Sequence, residues 1–118
     1  MNEILNEFGE TLIKEVRDRT ITGYDKRLSG QLKSASAQKV FERMNKLDEN
    51  AQQFVRDIVP DIVDLTLDNL MCMFEEKDNI IICVDGNNIA EVSDGLSGEL
   101  YGDYGWIKNF SDERVIDY

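Results

Sequence analysis

The sequence of 118 residues is 42% hydrophobic and 31% charged, a composition that is ordinary for one globular domain with its own core. Its net charge of −11 disfavours nucleic-acid binding, because neutralising phosphates requires clustered positive charge. Histidine and the spacing Cys-x-x-Cys are both missing, which excludes imidazole catalysis and a cysteine zinc site. We therefore expect a single domain over residues 1–118, without a cofactor or a bound metal.

The charges are distributed unevenly along the chain. Residues 1–47 hold nine Lys and Arg against seven Asp and Glu, whereas residues 48–118 hold four against seventeen. The N-terminus is acidic where a signal peptide is basic, and no stretch approaches the roughly 20 apolar residues of a membrane span. We expect a cytoplasmic protein that makes no membrane contact. Its acidic part suits a basic partner, although the same charge also serves solubility alone.

The first part of the chain is predicted to form helix, loop and helix. Apolar residues at helical spacing predict an amphipathic helix over residues 2–20, and Gly9 within it indicates close approach to a neighbour. Residues 23–36 are rich in Gly, Ser and cations, and predict a loop that either contacts an acidic group or is a solvated connector. A second amphipathic helix is predicted over residues 36–47.

Residues 57–74 are predicted to form the central helix. On a helical wheel, one ridge about 60° wide carries four aspartates, which are Asp57, Asp61, Asp64 and Asp68. Most of the remaining circumference is apolar, so we expect other elements to wrap this helix and leave only the aspartates free. Pro60 removes a backbone hydrogen bond, which predicts a kink or break at residues 58–60.

The aspartate ridge has two interpretations. Four carboxylates could hold Mg²⁺ or Ca²⁺, but converging ligands from a second element are missing, so a solvated acidic face is favoured. No carboxylate pair is singled out for acid–base catalysis. We expect a protein that is not an enzyme, and keep a small carboxylate-dependent enzyme or metal binder as the alternative.

The pattern changes after the central helix. Residues 80–84 are a β-branched run, residues 89–92 alternate, and Asp85-Gly86 between them favours an antiparallel hairpin. Two strands are marginal alone, so the hairpin must lie on the helices or gain a third strand from the tail. The predicted class is α+β, with a helical N-terminal two-thirds packed around a central buried helix, then a hairpin and a glycine-rich C-terminal tail.

The tail combines aromatic residues with acids between glycines. Aromatic anchors inside an acidic rim are typical of a partner-binding surface, and the candidate residues are Asp94, Glu99, Tyr101, Asp103, Tyr104 and Trp106. Alternatively, Trp106 and its apolar neighbours close the core. The binding hypothesis therefore depends on whether Trp106 is exposed.

The run SDGLSGELYGDYGWIKNFS, which follows a helix ending DLTLDNLMCMFEE and a short hairpin, resembles small acidic bacterial proteins of unassigned function. Some of these are similar to immunity proteins, which neutralise secreted or contact-delivered toxins. The resemblance spans residues 60–111 and implies a binding role in the bacterial cytoplasm, but it assigns no functional residue. We thus predict an acidic binding protein for a basic protein, such as the nucleic-acid-binding cleft of a toxin domain. A structural homo-oligomer subunit is a further alternative.

Overall fold

The structure is a computed structural model that describes residues 3–116. It is 65% helical and contains a two-stranded antiparallel sheet. The predicted α+β class is therefore confirmed. Among the helices of residues 3–116, none is both long enough and apolar enough to cross a membrane.

The N-terminal third is a long helical rod. Helix α1 (Glu3–Leu12), a π-helical stretch (Ile13–Asp18) and α2 (Arg19–Leu28) follow one another directly. The loop predicted from residue 23 is wrong for residues 23–28, which belong to α2. Ile21 and Leu28 are both buried on one side of this helix, so the core contact continues to its last turn. The predicted start at residue 2 lies outside the described part of the chain.

Glycine and serine set the limits of the next connection. Gly30 follows α2 with a φ of 79°, a conformation that glycine adopts readily after a helix. Helix α3 (Ala35–Asn45) begins after Ser34, whose hydroxyl accepts a hydrogen bond from the Ala37 amide at 3.3 Å. This helix corresponds to the second predicted one, shifted by one or two residues.

Helix α4 (Glu49–Glu76) is continuous through Pro60, so of the predicted kink or break the break is wrong. A proline at this position leaves the carbonyl of Arg56 without its usual helical donor. The guanidinium of Arg114 donates to that carbonyl at 3.0 Å and so replaces the missing bond. The Arg114 guanidinium also forms an ion pair with Asp25, with Nη1 and Oδ2 2.6 Å apart. The C-terminal segment therefore allows the helix to continue.

One face of α4 carries the core. Its buried apolar residues pack with others from α1, α2, α3 and the tail, and on α4 these are Val59, Val63, Leu67 and Met71. The opposite face is open to solvent, where Phe54 is 63% exposed and Leu65 is 59% exposed. Asp64, one of the four ridge aspartates, is in contrast fully buried. The expectation that only the aspartates would be free is therefore wrong, because the tail and the N-terminal rod cover one side of the helix only.

The hairpin is shorter than predicted, and its second strand lies at residues 87–88, so the returning strand predicted at residues 89–92 is wrong. Strand β1 (Cys83–Val84) pairs antiparallel with β2 (Asn87–Asn88), with Cys83 opposite Asn88. The turn lies where it was predicted, because Asp85 and Gly86 both adopt positive φ, as a two-residue hairpin turn requires. In the described residues the tail adds no strand. It forms a 3-10 helix (Ser97–Leu100) and a short helix α5 (Trp106–Phe110) instead.

Candidate functional site

Trp106 is part of the core. It is only 1% exposed, and its indole lies against Gly9 of α1 so closely that a methyl group there would overlap the ring. Phe8 meets the indole edge to face, with ring centroids 5.7 Å apart. The prediction of Trp106 as a partner-binding anchor required exposure, which the structure does not provide. For this residue the alternative interpretation, closure of the core, holds.

The two tail tyrosines have opposite environments. The Tyr104 side chain is 96% exposed. Tyr101 is half-buried, and its hydroxyl donates to Oδ2 of Asp68 at 2.8 Å. Burial, followed by this bond to a carboxylate, raises the pKa of Tyr101 well above its ordinary value. Tyr104 is therefore available for a partner, whereas Tyr101 connects the tail to the central helix.

The tail acids also differ in their surroundings. Asp94 is exposed, and Glu99 is half-buried and accepts a hydrogen bond from the Ser93 hydroxyl at 3.1 Å. Asp103 is exposed and pairs with Lys108 at 2.9 Å, a contact that lowers the pKa of the Asp103 carboxyl. These acids engage different neighbours, and only Asp103 adjoins the exposed Tyr104.

The aspartate ridge does not face solvent as a unit. Asp57 and Asp61 are exposed, Asp68 is half-buried against Tyr101, and Asp64 has no exposed surface. Within residues 3–116, no group of three His, Cys, Asp or Glu side chains is arranged to hold a metal ion. The ridge thus divides into two exposed aspartates, the half-buried Asp68 and the buried Asp64.

Asp64 belongs to a buried ionic cluster. Arg17, in the π-helical stretch, donates from Nε to Oδ1 of Asp64 at 2.6 Å and from Nη2 to Oδ2 at 3.3 Å. This is a two-point contact between two buried side chains. Arg17 also donates to the Ser111 hydroxyl at 2.9 Å and to the Arg114 carbonyl at 2.8 Å. Asp18 accepts from the Ser111 hydroxyl at 2.6 Å. The cluster fastens the rod, α4 and the C-terminal segment together.

Sequence reasoning did not find this cluster. The available signal was the position of Arg17 between Ile13 and Ile21 at spacings of four, which places a cation in the middle of an apolar helix stripe. A buried cation needs a carboxylate partner. The spacing indicates such a partner, but it does not identify Asp64.

A groove of about 450 Å³ separates α1 from the segment around α5. We call it the glutamate groove, and it is lined by Glu3, Asn6, Glu7, Glu10, Tyr104, Asn109 and Phe110. Glu10 pairs with Lys14 at 3.2 Å, a contact that raises the pKa of Lys14. Glu3 and Glu7 form no ion pair within the described residues. The groove therefore presents two carboxylates that pair with no cation of residues 3–116, beside an exposed aromatic ring.

No known family model, curated protein or solved structure shows significant similarity to the chain. The comparisons therefore add nothing to the geometry.

Proposed function

We propose that the protein is a non-enzymatic binding protein that recognises a basic protein through the glutamate groove. The observation that carries this proposal is the ring of Tyr104, which is almost wholly exposed at the edge of that groove. An exposed aromatic ring supplies contact area when a partner removes it from water. Neighbouring carboxylates attract a basic partner and accelerate its association.

The proposed site keeps part of the tail predicted from the sequence. Tyr104 remains in it, and Glu3 and Glu7 of α1 join it, whereas Asp103 does not line the groove and pairs with Lys108. Trp106 acts as support, because it packs α5 against α1 at Gly9 and so holds the two sides of the groove together. Rigid support of this kind lowers the entropic cost of binding.

The net charge of −11 favours a partner that presents clustered Lys and Arg. The nucleic-acid-binding cleft of a toxin has that property. Residues 60–111 resemble small acidic bacterial proteins, some of which are similar to immunity proteins, and this resemblance also favours such a partner. On this proposal the protein acts in the bacterial cytoplasm.

Capture from the native host, with the full chain as bait, tests the proposal by identifying a partner whose kinetics can be measured. Tyr104→Ala should weaken binding by about 2 kcal/mol or more, mainly through faster dissociation. The double variant Glu3→Gln with Glu7→Gln should slow association, and the difference should fade at high salt.

A matched control removes two charges elsewhere. Glu76, the last residue of α4, and Asp78, two residues after it, are exposed and do not line the glutamate groove. If Glu76→Gln with Asp78→Asn slows association as much as the groove variant does, the total charge accounts for the effect. That result, or full affinity in Tyr104→Ala, would reject the glutamate groove as the binding site.

A further inference from the structure

The open face of α4 carries a regular row of side chains. We call it the outer seam, and it consists of Phe54, Ile58, Asp61, Leu65 and Asp68. Their spacings of 4, 3, 4 and 3 keep them on one line along the helix, as in the contact line of a coiled coil. Single exposed apolar residues are ordinary, but an aligned set on one helix is typical of an interaction surface.

Neighbouring segments turn this row into a trough. Arg114, Val115 and Ile116 border its first half, a groove of about 450 Å³. Tyr101 borders the second half, a groove of about 390 Å³, and Asp61 lines both. From Phe54 to Asp68 the seam runs about 21 Å, which is four helical turns. The trough therefore has the length of a short docked helix.

We propose that the outer seam is a docking site for an amphipathic helix of a partner protein, with an apolar face flanked by Lys or Arg. Docking of an apolar helix face into a groove is a common mode of peptide recognition. The apolar side chains of the seam, Phe54, Ile58 and Leu65, would contact the apolar face of that helix.

The charges along the trough favour a basic flank. Asp57 and Asp61 are exposed, and neither forms an ion pair in the part of the chain that the structure describes. The one cation in the trough lining, Arg114, is held by Asp25 at 2.6 Å. Cations on the incoming helix would therefore meet two carboxylates that form no ion pair within residues 3–116, of which only Asp57 is attracted by Arg114 at longer range.

A second copy of this chain fits the trough less well. Asp61 lies at the middle of the seam, so two copies paired along it, parallel or antiparallel, would bring the two Asp61 carboxylates together. Like charges at close range repel, and each copy also carries a net charge of −11. A basic helix avoids both penalties.

The probe is a synthetic peptide of about four helical turns, with leucine on one face and lysine on both flanks. One control peptide carries glutamate in place of lysine, and another has the same composition with its leucines spread around the helix. Nuclear magnetic resonance of the full chain locates the binding site, and fluorescence anisotropy of the labelled peptide gives the affinity. We expect shift changes along Phe54–Asp68 and no binding of either control peptide.

Variants assign the binding to the seam. Leu65→Ser should weaken binding of the lysine peptide at least tenfold and leave the fold intact, because Leu65 is mostly exposed. Asp61→Asn should weaken it several-fold at low salt. Tyr104→Ala should leave it unchanged, so failure of this inference is distinguishable from failure of the glutamate groove.

Three results would overturn the inference. The first is that the lysine peptide does not bind. The second is that the control peptide with its leucines spread around the helix binds equally well, or that the Leu65→Ser protein binds the lysine peptide as tightly as the parent does, because either outcome indicates charge attraction alone. The third is a dimer of the free protein, seen by analytical ultracentrifugation and abolished by Leu65→Ser, which identifies a second copy as the occupant.

Discussion

The aspartate ridge and the aromatic tail are each divided by the fold into exposed and buried members. On the ridge, Asp61 is exposed and Asp64 is buried against Arg17. In the tail, Tyr104 is exposed and Trp106 is buried against Gly9.

The buried member of each region, Asp64 on the ridge and Trp106 in the tail, is accommodated in a different way. A carboxylate enters the core only with a cation and hydrogen bonds that compensate its lost hydration. An indole needs space, which a residue without a side chain provides. The comparison teaches that the neighbour decides which member of a pattern is buried, and that removing a charge partner should cost more than filling a space.

The largest effect should come from breaking the ionic contact. Asp64→Ala removes the two-point partner of the buried Arg17 guanidinium and leaves it only the more distant Asp18 carboxylate, at 3.5 Å. Loss of one partner of a buried pair costs about 3–5 kcal/mol. Asp61→Ala, on the exposed part of the same ridge, should change stability by about 0.5 kcal/mol or less. Urea unfolding measures both free energies. Equal effects in the two variants would contradict the division of the ridge.

The second effect tests the space beneath the tail. A methyl group on Gly9 would overlap the indole of Trp106, and overpacking of a core costs about 1–3 kcal/mol. Gly23 in α2 has no atom within 4 Å of the corresponding position. Gly23→Ala should therefore stabilise the protein by roughly 0.4–1 kcal/mol. Thermal unfolding of both variants is the measurement, and a stabilised Gly9→Ala protein would show that the close contact is not needed.

Local signals in the sequence were sufficient where the cause of the structure is local. The turn at Asp85-Gly86 was predicted from its backbone preference, and it is present. Gly9 was predicted to mark close approach to a neighbour, and that neighbour is Trp106. The first helix, α3 and the central helix were found from their apolar spacing with errors at their ends, whereas residues 23–28 of α2 and the short helix α5 were not predicted as helix.

The predictions failed where the cause lies far along the chain. Helix α4 continues through Pro60 because Arg114, 58 residues after Arg56, donates to the freed carbonyl. Asp64 is buried because Arg17, 47 residues earlier, pairs with it. Periodicity assigns all four aspartates to one ridge, but it does not contain these distant partners.

The smallest effect concerns the point where the two regions meet. The Tyr101 hydroxyl donates to Asp68 at 2.8 Å and so connects the tail to the ridge. Tyr101→Phe removes this bond, while Asp68 remains partly exposed to water. Loss of one such hydrogen bond should cost about 1 kcal/mol near neutral pH. Tyr104→Phe is the matched control, and it should leave stability unchanged because the Tyr104 side chain is in solvent.

Alkaline pH gives this last prediction a second readout. Burial and the bond to Asp68 raise the pKa of Tyr101 in the folded state, so the folded protein keeps a proton that the unfolded chain releases near pH 10. The stabilisation is complete below about pH 10 and is lost as pH rises through the folded-state pKa, because unfolding then releases a proton. Urea unfolding between about pH 9 and pH 11 should show a steeper loss of stability in the parent protein than in Tyr101→Phe. Tyr104→Phe should follow the parent. If the free energy of unfolding falls with pH equally steeply in all three proteins, the pKa of Tyr101 is not raised in the folded state. The hydrogen bond between the Tyr101 hydroxyl and Asp68 would then not connect the tail to the ridge.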